Sequence, residues 1–374
     1  MKKRVIVSVT SDLVTDQRVH KVSQTLHEEG FDVLLVGRLL AGSLPLKGRD
    51  YKTARLQLWF SKTVLFYINY NIRMFWLLLF RKADLLLSND LDTLPANYLA
   101  SVIKRIPLVY DSHEYFTGVP ELQQRPFTRN IWEAIEHLIF PRLKQVYTVN
   151  ESIAALYRKK YNKDIKVVRN VPYLQTSPGR QAFYPAGKKI IIYQGSGINV
   201  NRGAEELILS MKHLHRDEYT LWIVGGGDVY GKLKLLAAEN QLEDKVRFIS
   251  KVPFDELQRI TMQAHLGISF DKPTNLNYLY SLPNKIFDYL HAGVPVLCSA
   301  LPEIQLIVNT YQVGQFISHH EPGHIAGRIQ DMFADPQRYM AWKNNTVAAS
   351  KELCWQHESK IVSGIFRPFL PVKP

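Results

Sequence analysis

Leu282-Pro-Asn-Lys-Ile-Phe-Asp-Tyr-Leu-His-Ala-Gly-Val-Pro-Val296 is the stretch of this sequence that decides the fold. Its first proline suits the first position of a helix, and Ile286 and Leu290 are spaced to pack on one side of that helix. Gly293 suits the helix end, and Val294-Pro-Val-Leu then begins a strand. A helix that leads directly into a short apolar strand is typical of a parallel sheet covered by helices.

The same alternation of short apolar strands and helical patterns runs through the chain in two series. The first series of predicted strands comprises Val5–Val9, Asp32–Val36, Asp84–Leu87, Leu108–Tyr110, Gln145–Val149 and Ile165–Val168. The second comprises Ile190–Tyr193, Leu221–Val224, Val246–Ile249, Leu266–Phe270, Val294–Leu297 and Val313–Ile317. The sequence therefore predicts an α/β protein with two doubly wound, Rossmann-like domains that face each other across a cleft.

The predicted domain boundaries follow from a change in composition between the two series. Residues 174–189 are rich in proline, glycine and polar side chains, and we expect a linker there. An N-terminal domain is then expected over residues 1–175 and a C-terminal domain over 190–350. Residues 351–374 are expected to form a C-terminal helix and tail that can return to the N-terminal domain.

The charge of the chain predicts an anionic partner, because its formal net charge is +13. A phosphorylated substrate and an anionic membrane surface both satisfy this prediction. Nucleic acid is not expected, since no zinc-ligand spacing, recognition-helix motif or RNA-binding signature occurs in the sequence. Cys298 and Cys354 lie far apart, and Met1-Lys-Lys-Arg4 runs directly into a strand-like stretch, so we expect a reducing, cytoplasmic location.

Val64–Phe80 is apolar enough to raise the question of a membrane. The segment is short for a span, and two asparagines and Arg73 interrupt it. A buried or half-buried helix of the domain is one interpretation, and an interfacial helix is the other. Because Lys62 and Arg81 flank the segment, we hypothesise that it lies on an anionic membrane at the inner face of the plasma membrane.

Two strand-to-helix turns of the second half have the composition of phosphate sites. The turn Gly195–Gly203 contains small residues, whose N–H groups can approach an anion, and Arg202, whose guanidinium can bind a diphosphate. An ordinary turn with a solvated arginine is the alternative. Gly225-Gly-Gly227 follows the next strand, but it lacks the spaced glycines of a dinucleotide fingerprint, which weakens a dehydrogenase interpretation.

The segment quoted first also carries polar side chains suited to a nucleotide. Lys285 and Asp288 are three residues apart and share one helix face. The lysine can bind a phosphate, and the carboxylate can accept hydrogen bonds from ribose hydroxyls. The alternative is an ion pair on the protein surface, which would contribute little to the stability of the fold.

In the first half, polar residues follow three predicted strands. Asp111-Ser-His-Glu114 comes directly after one strand end, where His113 can donate a hydrogen bond to a sugar hydroxyl. A structural histidine is the alternative. Ser11-Asp12 and Asn89-Asp-Leu-Asp92 follow two further strands, and by default these residues are predicted to be helix caps. No spacing specific to a metal appears, and no metal is expected.

Taken together, these residues resemble the family-four glycosyltransferases, a group of retaining enzymes of the GT-B architecture. Pro283–Val296 is similar to the family segment Pro-Ser-Lys-x-x-Glu-Tyr-x-x-x-Gly-x-Pro-Val, with Asp288 in place of the glutamate that holds the ribose. Asp111-Ser-His-Glu114 is similar to the Asp-x-His-Glu loop at the reaction centre. Arg202-Gly203 matches a Lys-Gly pair that binds the donor phosphate.

Two further elements resemble the family, and two positions depart from it. Gly225–Gly227 and Val246–Pro253 look like the Gly-x-Gly and Val-x-Phe-x-Gly-x-Val elements, the latter near the base. The first of the family's two acids falls on Tyr280, so only the second position is acidic. The arginine that often precedes the Lys-Gly pair falls within Gly195-Ser196-Gly197, which contains none.

The resemblance implies retaining transfer of a sugar from a nucleoside diphosphate sugar, as co-substrate, to a glycan or lipid-linked acceptor in cell-surface polysaccharide synthesis. It implies no metal and no resident cofactor. The site residues that we predict are His113, Arg202 and Lys285 as catalytic residues, Gly195, Ser196, Gly197, Gly225, Gly226, Phe248, Val252, Asn284 and Asp288 for the donor, and Ser11, Asp12, Asp90 and Glu114 on the acceptor side. A sugar-nucleotide epimerase of the same fold and a catalytically vestigial protein that binds anionic surfaces are the alternatives.

Overall fold

The structure, a computed structural model, describes residues 2–14, 16–43, 45–46, 48–60, 63–119, 122, 125–174 and 187–371. The chain divides into two compact units. Unit 1 contains Met1–Asn170 and Gln356–Pro374, and unit 2 contains Val171–Trp355. Most of the linker predicted over residues 174–189 lies outside the described residues, as does Lys62.

Unit 1 is built on a parallel sheet of seven strands in the order β3-β2-β1-β4-β5-β6-β7. The direction of winding reverses between β1 and β4, which are neighbours in the sheet. Its elements are β1 (Arg4–Ser8), α1 (Gln17–Glu28), β2 (Asp32–Leu39), β3 (Lys52–Gln57), α2 (Thr63–Phe80), β4 (Leu85–Asn89), α3 (Leu94–Lys104), β5 (Leu108–Ser112), α4 (Pro126–Ile139), β6 (Gln145–Thr148), α5 (Glu151–Tyr161) and β7 (Lys166–Val167).

Unit 2 is built on a parallel sheet of six strands in the order β10-β9-β8-β11-β12-β13, with the reversal between β8 and β11. Its elements are β8 (Lys189–Gly195), α6 (Ala204–Ser210), β9 (Tyr219–Gly225), α7 (Tyr230–Glu239), β10 (Val246–Ser250), α8 (Phe254–Thr261), β11 (Leu266–Ser269), α9 (Leu276–Leu279), α10 (Asn284–His291), β12 (Val296–Ser299), α11 (Pro302–Tyr311), β13 (Gly314–Ile317), α12 (Pro322–Ala334) and α13 (Pro336–Glu352). The prediction of two doubly wound, Rossmann-like domains is confirmed.

The pattern of burial explains which strands the sequence reveals. Every residue of β4 and β5 is buried, because these strands lie inside the sheet and are covered on both faces. β3 was not predicted. It is the edge strand of its sheet, and none of its residues is fully buried, so selection for apolar side chains is weak there.

Helix α10 and strand β12 begin later than the sequence indicates. Pro283 is the N-cap, with ψ at 136°, and the helix starts at Asn284. Gly293 has a φ of +73°, a left-handed conformation that glycine adopts without strain, as expected for a residue that ends a helix. β12 starts at Val296 and not at Val294, since Pro295 has no N–H to donate to a neighbouring strand.

The last helix, α14 (Trp355–Phe366), belongs mainly to unit 1. Its Phe366 is fully buried and packs edge-on against Phe31 and Tyr147, with ring centroids 6.4 and 6.5 Å away. Its Glu358 accepts a hydrogen bond of 2.8 Å from the N–H of Arg169. The chain therefore returns to its first unit after completing the second.

Candidate active site

The carboxyl ends of β1, β4 and β5 bring together the polar residues predicted in unit 1. These three strands are adjacent in the sheet, and ligands of doubly wound folds bind at this edge, where the winding reverses. The loop after β1 carries Ser11 and Asp12, the loop after β4 carries Asp90, and the end of β5 leads into His113 and Glu114.

His113 lies between two carboxylates. Its Nδ1 is 3.2 Å from Oδ2 of Asp90, and its Nε2 is 3.2 Å from Oδ2 of Asp111. Its backbone N–H also donates to Oδ1 of Asp90 over 2.7 Å. Burial opposes the charge of the imidazole, but the two carboxylates outweigh burial and raise the pKa of His113 to about 9. The side chain is therefore an imidazolium at neutral pH, and both of its nitrogens already have partners.

Asp111 is held by a buried arginine that the sequence analysis missed. Arg18, at the start of α1, donates from Nε and Nη2 to the two carboxylate oxygens over 3.0 and 2.7 Å, and from Nη1 to the carbonyl of Val168 over 2.7 Å. Burial alone would raise the pKa of Asp111, but Arg18 and His113 lower it to about 2. Arg18 thus holds the carboxylate of Asp111 in place, and this carboxylate orients the ring of His113.

Two carboxyl groups of the β4 loop titrate near neutral pH. Burial raises the pKa of Asp90 to about 7 and that of Asp92 to about 6. Oδ2 of Asp92 accepts a hydrogen bond of 2.6 Å from Thr10, whereas its buried Oδ1 has no partner within the described parts of the chain. Asp90 has a φ of +61°, an uncommon conformation for a residue other than glycine. Asp92 was not among the predicted site residues.

The prediction that Ser11-Asp12 and Asn89–Asp92 are helix caps is wrong, because the N-cap positions of α1 and α3 are Asp16 and Thr93. Asp16 caps α1 by accepting from the N–H of Val19 over 3.1 Å, and Ser11 Oγ donates to Asp16 over 2.5 Å. The carboxylate of Asp12 instead accepts hydrogen bonds from the N–H of Val14 and from Ser43 Oγ. The N-cap position of α3 is Thr93. Glu114 is half-buried.

In unit 2, the loops after β8 and β11 bring Arg202 against a buried acid. Nη1 of Arg202 is 3.1 Å from Oδ2 of Asp271, whose side chain is fully buried. The guanidinium carbon lies 4.7 Å from the ring centroid of Tyr278. Oδ1 of Asp271 and Nε of Arg202 are buried and have no hydrogen-bond partner among the residues that the structure describes. Arg202 is therefore oriented by the acid on one side and the ring on the other, and it is not the solvated turn arginine of the alternative interpretation.

Lys285 is buried at the start of α10 and has only 8% of its surface exposed. Its Nζ lies 4.2 Å from the ring centroid of Tyr193, on β8. No hydrogen bond or ion pair to this Nζ is found within the part of the chain that the structure describes. Burial lowers the pKa of Lys285, whereas the negative charge of Asp271 acts in the opposite direction. The protonated form of this buried amine can bind an anion, which would offset the cost of burying its charge.

Asp288 does not form the surface ion pair with Lys285 that was the alternative interpretation. Its Oδ2 accepts a hydrogen bond of 3.1 Å from Nε2 of Gln194, at the end of β8. Oε1 of the same glutamine accepts from Oγ1 of Thr261 over 2.7 Å. The orientation of the carboxylate is thus set by a chain of side-chain hydrogen bonds that begins in α8.

The glycine turns of unit 2 pack against each other. A Cβ atom at Gly225 would lie 1.9 Å from the carbonyl oxygen of Gly195, and one at Gly227 would lie 2.4 Å from the nitrogen of Ile198. The N–H of Gly226 donates to Gly195, and that of Ile198 donates to Gly226. These glycines therefore allow the turns after β8 and β9 to approach each other, and the amide of Gly226 is already used.

The remaining predicted donor residues lie on the same edge of the unit 2 sheet or beside it. Ser196 and Gly197 are exposed in the turn after β8, and Asn284 is exposed at the first position of α10. Phe248 is half-buried on β10 and packs edge-on against Tyr230, with ring centroids 5.6 Å apart. Val252 is half-buried just after β10.

Four side chains that hold these sites were missed: Arg18, Gln194, Asp92 and Asp271. Asp271 and Gln194 stand at strand ends, the same signal that identified their neighbours, and this signal could have found them. Arg18 gives no local signal, because its partner Asp111 is 93 residues away. Among the described residues, no group of three His, Cys, Asp or Glu side chains is placed to hold a metal ion.

Two family models of glycosyltransferases match this chain. The family model described as glycosyl transferases group 1 matches residues 180–348, and the model described as glycosyltransferase family 4 matches residues 16–171. The two matches together span most of both units. A comparison with curated protein sequences gave no significant match.

Several solved structures share the fold of this chain at low sequence identity. Sucrose-phosphate synthase from Thermosynechococcus elongatus is 16% identical, with a TM-score of 0.76 and coverage of 98% of this chain and 99% of that one. Anabaena Alr3699/HepE in complex with UDP-glucose is 15% identical, with a TM-score of 0.73 and the same coverage. A glycosyltransferase from Rickettsia africae ESF-5 is 13% identical, with a TM-score of 0.70 and again the same coverage.

Proposed function

The chain belongs to the group 1 glycosyltransferases and has the GT-B fold, and we propose that it transfers a hexose or amino sugar from a nucleoside diphosphate sugar to a glycan or lipid-linked acceptor. We further propose that the anomeric configuration is retained and that the product serves cell-surface polysaccharide synthesis. The observation that carries the proposal is the buried amine of Lys285 within the electrostatic reach of Arg202 and Asp271, at the sheet edge where doubly wound folds bind nucleotides.

The proposed chemistry is stabilisation of the leaving group. When the bond between the sugar and the diphosphate breaks, negative charge grows on the phosphate oxygens. Arg202 pairs with the buried Asp271, and the amine of Lys285 lies in the same cluster, where its protonated form adds a positive charge against a diphosphate. Because Asp271 and Tyr278 fix the guanidinium before a ligand arrives, little reorganisation is needed on binding.

Asp288 is proposed to hold the ribose of the donor. A carboxylate can accept hydrogen bonds from two neighbouring hydroxyls, and the hydrogen bond from Gln194 orients it before the ligand binds. The solved structure of the Anabaena relative with UDP-glucose supports a uridine diphosphate sugar as the first donor to test.

His113 is proposed to contribute a fixed positive charge near the transferred sugar. Its two ring nitrogens are bound to Asp90 and Asp111, so a hydrogen bond to a sugar hydroxyl would require one of these contacts to open. Ser11, Asp12, Asp90 and Glu114 stay our candidates for the acceptor side.

We place the protein in the cytoplasm, at the inner face of a membrane that carries its acceptor. Both cysteines, Cys298 and Cys354, are free and buried, which suits a reducing compartment. An anionic membrane also suits the net charge of +13.

Thermal unfolding in the presence of a panel of nucleoside diphosphates and their sugars tests the proposal. A ligand that binds only the folded protein raises the apparent melting temperature, so one nucleotide should produce a selective shift. Lys285→Met should abolish that shift because it removes the buried amine that is proposed to bind the phosphate. The matched control is Lys232→Met, which changes an exposed lysine of α7.

Two outcomes would contradict parts of this proposal. If no nucleotide shifts the melting temperature of the wild-type protein at saturating concentration, the vestigial alternative is favoured. If a donor alone is converted to a free nucleotide and an altered sugar, the epimerase alternative is favoured. Retention is tested separately, by assigning the anomeric configuration of the product by NMR.

A further inference from the structure

Three helices of unit 1 expose apolar residues on the sides that face away from the sheet. In a soluble doubly wound domain, these outer sides are normally polar. The exposed large apolar residues of α2, α3 and α4 are Val64, Leu65, Ile68, Ile72, Trp76, Phe80, Leu99, Val102, Ile103, Phe127, Ile131 and Leu138. We call this set the apolar surface.

Helix α2 shows that the exposure is one-sided. Its residues Leu65, Ile68, Ile72 and Trp76 recur at helical spacing and are each about half exposed, at 50–53%. α2 is the single helix in the described part of the chain that is long and apolar enough to cross a membrane, and only 28% of it is buried. A core helix of a soluble protein would be mostly buried.

The opposite side of α2 is anchored in unit 1, so the helix does not stand apart as a membrane span. Tyr70 and Met74 are fully buried. The hydroxyl of Tyr70 donates to the carbonyl of Val9 over 2.9 Å, and Ser8 Oγ donates to the sulfur of Met74 over 3.5 Å. A helix fixed on one side and apolar on the other is suited to lie in the plane of a membrane interface.

The three helices form one continuous surface. Helices α2 and α3 are joined by Lys104, whose Nζ donates to the carbonyl of Leu78 over 2.8 Å. Helices α2 and α4 are joined by Tyr67 and Trp132, whose rings meet edge-on with centroids 5.2 Å apart. The apolar stripes therefore lie side by side.

The charges around the apolar surface are nearly all positive. Helices α2 and α3 contain no acidic residue. The two acids of α4 are compensated, since Glu133 pairs with Arg129 and the buried Glu136 pairs with Lys160. The basic residues on and beside these helices are Arg73, Arg81, Lys82, Lys104, Arg105 and Arg125. An apolar area with a basic rim is complementary to an anionic bilayer.

We propose that the apolar surface docks unit 1 on an anionic phospholipid bilayer, with α2, α3 and α4 inserted side by side at the level of the headgroups. A second copy of the chain fits this surface less well than a bilayer does. A symmetric contact would bring the basic rims of two copies together, and their like charges would repel each other. Trp76 and Phe80, stacked with centroids 5.6 Å apart, supply the aromatic contact that membrane interfaces favour.

The docked helix also holds the loops of the candidate acceptor side. Nδ2 of Asn71, on α2, donates to the carbonyl of Asp92 over 2.8 Å, and Tyr70 holds Val9, next to the β1 loop. A bilayer under α2 would therefore lie beside these loops. This step rests on the proposed function: it assigns the acceptor to the lipid-anchored members of the class, presented at a membrane.

Co-sedimentation of the full chain with vesicles tests the proposal. The vesicles are phosphatidylcholine alone, or phosphatidylcholine with phosphatidylglycerol, at low and at high salt. Wild-type protein should bind the anionic vesicles, and this binding should weaken with salt. Arg81→Gln with Lys82→Gln should lower the partition coefficient about 30-fold, at about 1 kcal/mol for each basic residue. Ile72→Gln with Trp76→Gln should also lower it.

The matched control is Leu306→Gln, which changes an equally exposed leucine in unit 2 and should leave vesicle binding unchanged. The proposal is overturned if wild-type protein stays in the supernatant with anionic vesicles at low salt. It is also overturned if sedimentation velocity shows a dimer that the Ile72→Gln, Trp76→Gln variant loses. The thermal shift with nucleotide is measured on the same samples, so loss of docking with an intact shift leaves the proposed function standing.

Discussion

The charge of His113 depends on two carboxylates that surround its ring. We predict that NMR titration of the ring protons gives a pKa of about 9 and that Asp90→Asn lowers it, because one of the two stabilising charges is removed. A folded-state pKa of His113 above the ordinary 6.5 means that its charge contributes stability that is lost as the pH rises through 9. The part of this contribution that comes from Asp90 also weakens as the pH falls through the raised pKa of that carboxyl, about 7.

The control for this titration is His137, an exposed histidine of α4 whose resonances should not respond to Asp90→Asn. If His113 titrates at or below 6.5 in the wild-type protein, the imidazolium is not the resting state. The fixed positive charge that we propose near the transferred sugar would then be withdrawn.

Among the elements, the turns after β8 and β9 pack closely against each other, and substitution of their glycines tests whether the fold depends on this close approach. We predict that Gly225→Ala lowers the free energy of unfolding by about 2 kcal/mol or more, since the new Cβ would clash with Gly195 at 1.9 Å and the residue has a φ of +132°. Chemical denaturation followed by circular dichroism measures this change.

Gly231→Ala is the matched control for that prediction. Gly231 lies in α7, and a Cβ atom built there meets nothing within 4 Å. Alanine in a helix should raise the free energy of unfolding by about 0.5–1 kcal/mol. If both alanines have the same effect, the turns after β8 and β9 do not depend on the close approach at Gly225.

At the scale of the whole molecule, the chain end is part of the first unit. We predict that Phe366→Ala destabilises unit 1 by about 3–4 kcal/mol, because it removes a fully buried ring that contacts Phe31 and Tyr147. Differential scanning calorimetry should show a lower melting temperature for unit 1.

The comparison variant is Ile361→Ala, on the same helix but 38% exposed, which should cost less than half as much. Equal effects of the two variants would mean that α14 is held by its helical structure and not by its contact with unit 1. A variant with wild-type stability at Phe366 would contradict the packing directly.

The sequence by itself determined the fold class and most of the elements, because the signals for them are local. Helical spacing, a proline before α10 and a glycine after it are all contained within one short stretch. The same stretch predicts Lys285 and Asp288 as site residues. An edge strand such as β3 could not be predicted, since it has no buried face that would require apolar and polar residues to alternate.

Only the tertiary structure decided the electrostatic state of the site and the extent of the apolar surface. Asp111 meets its partner Arg18 across 93 residues, and Arg202 meets Asp271 across 69. The pKa of a side chain depends on burial and on neighbours of this kind. The exposure of a side chain is likewise set by packing. The sequence predicts that α2 is an apolar helix, but only its position on unit 1 decides which of its sides remains exposed.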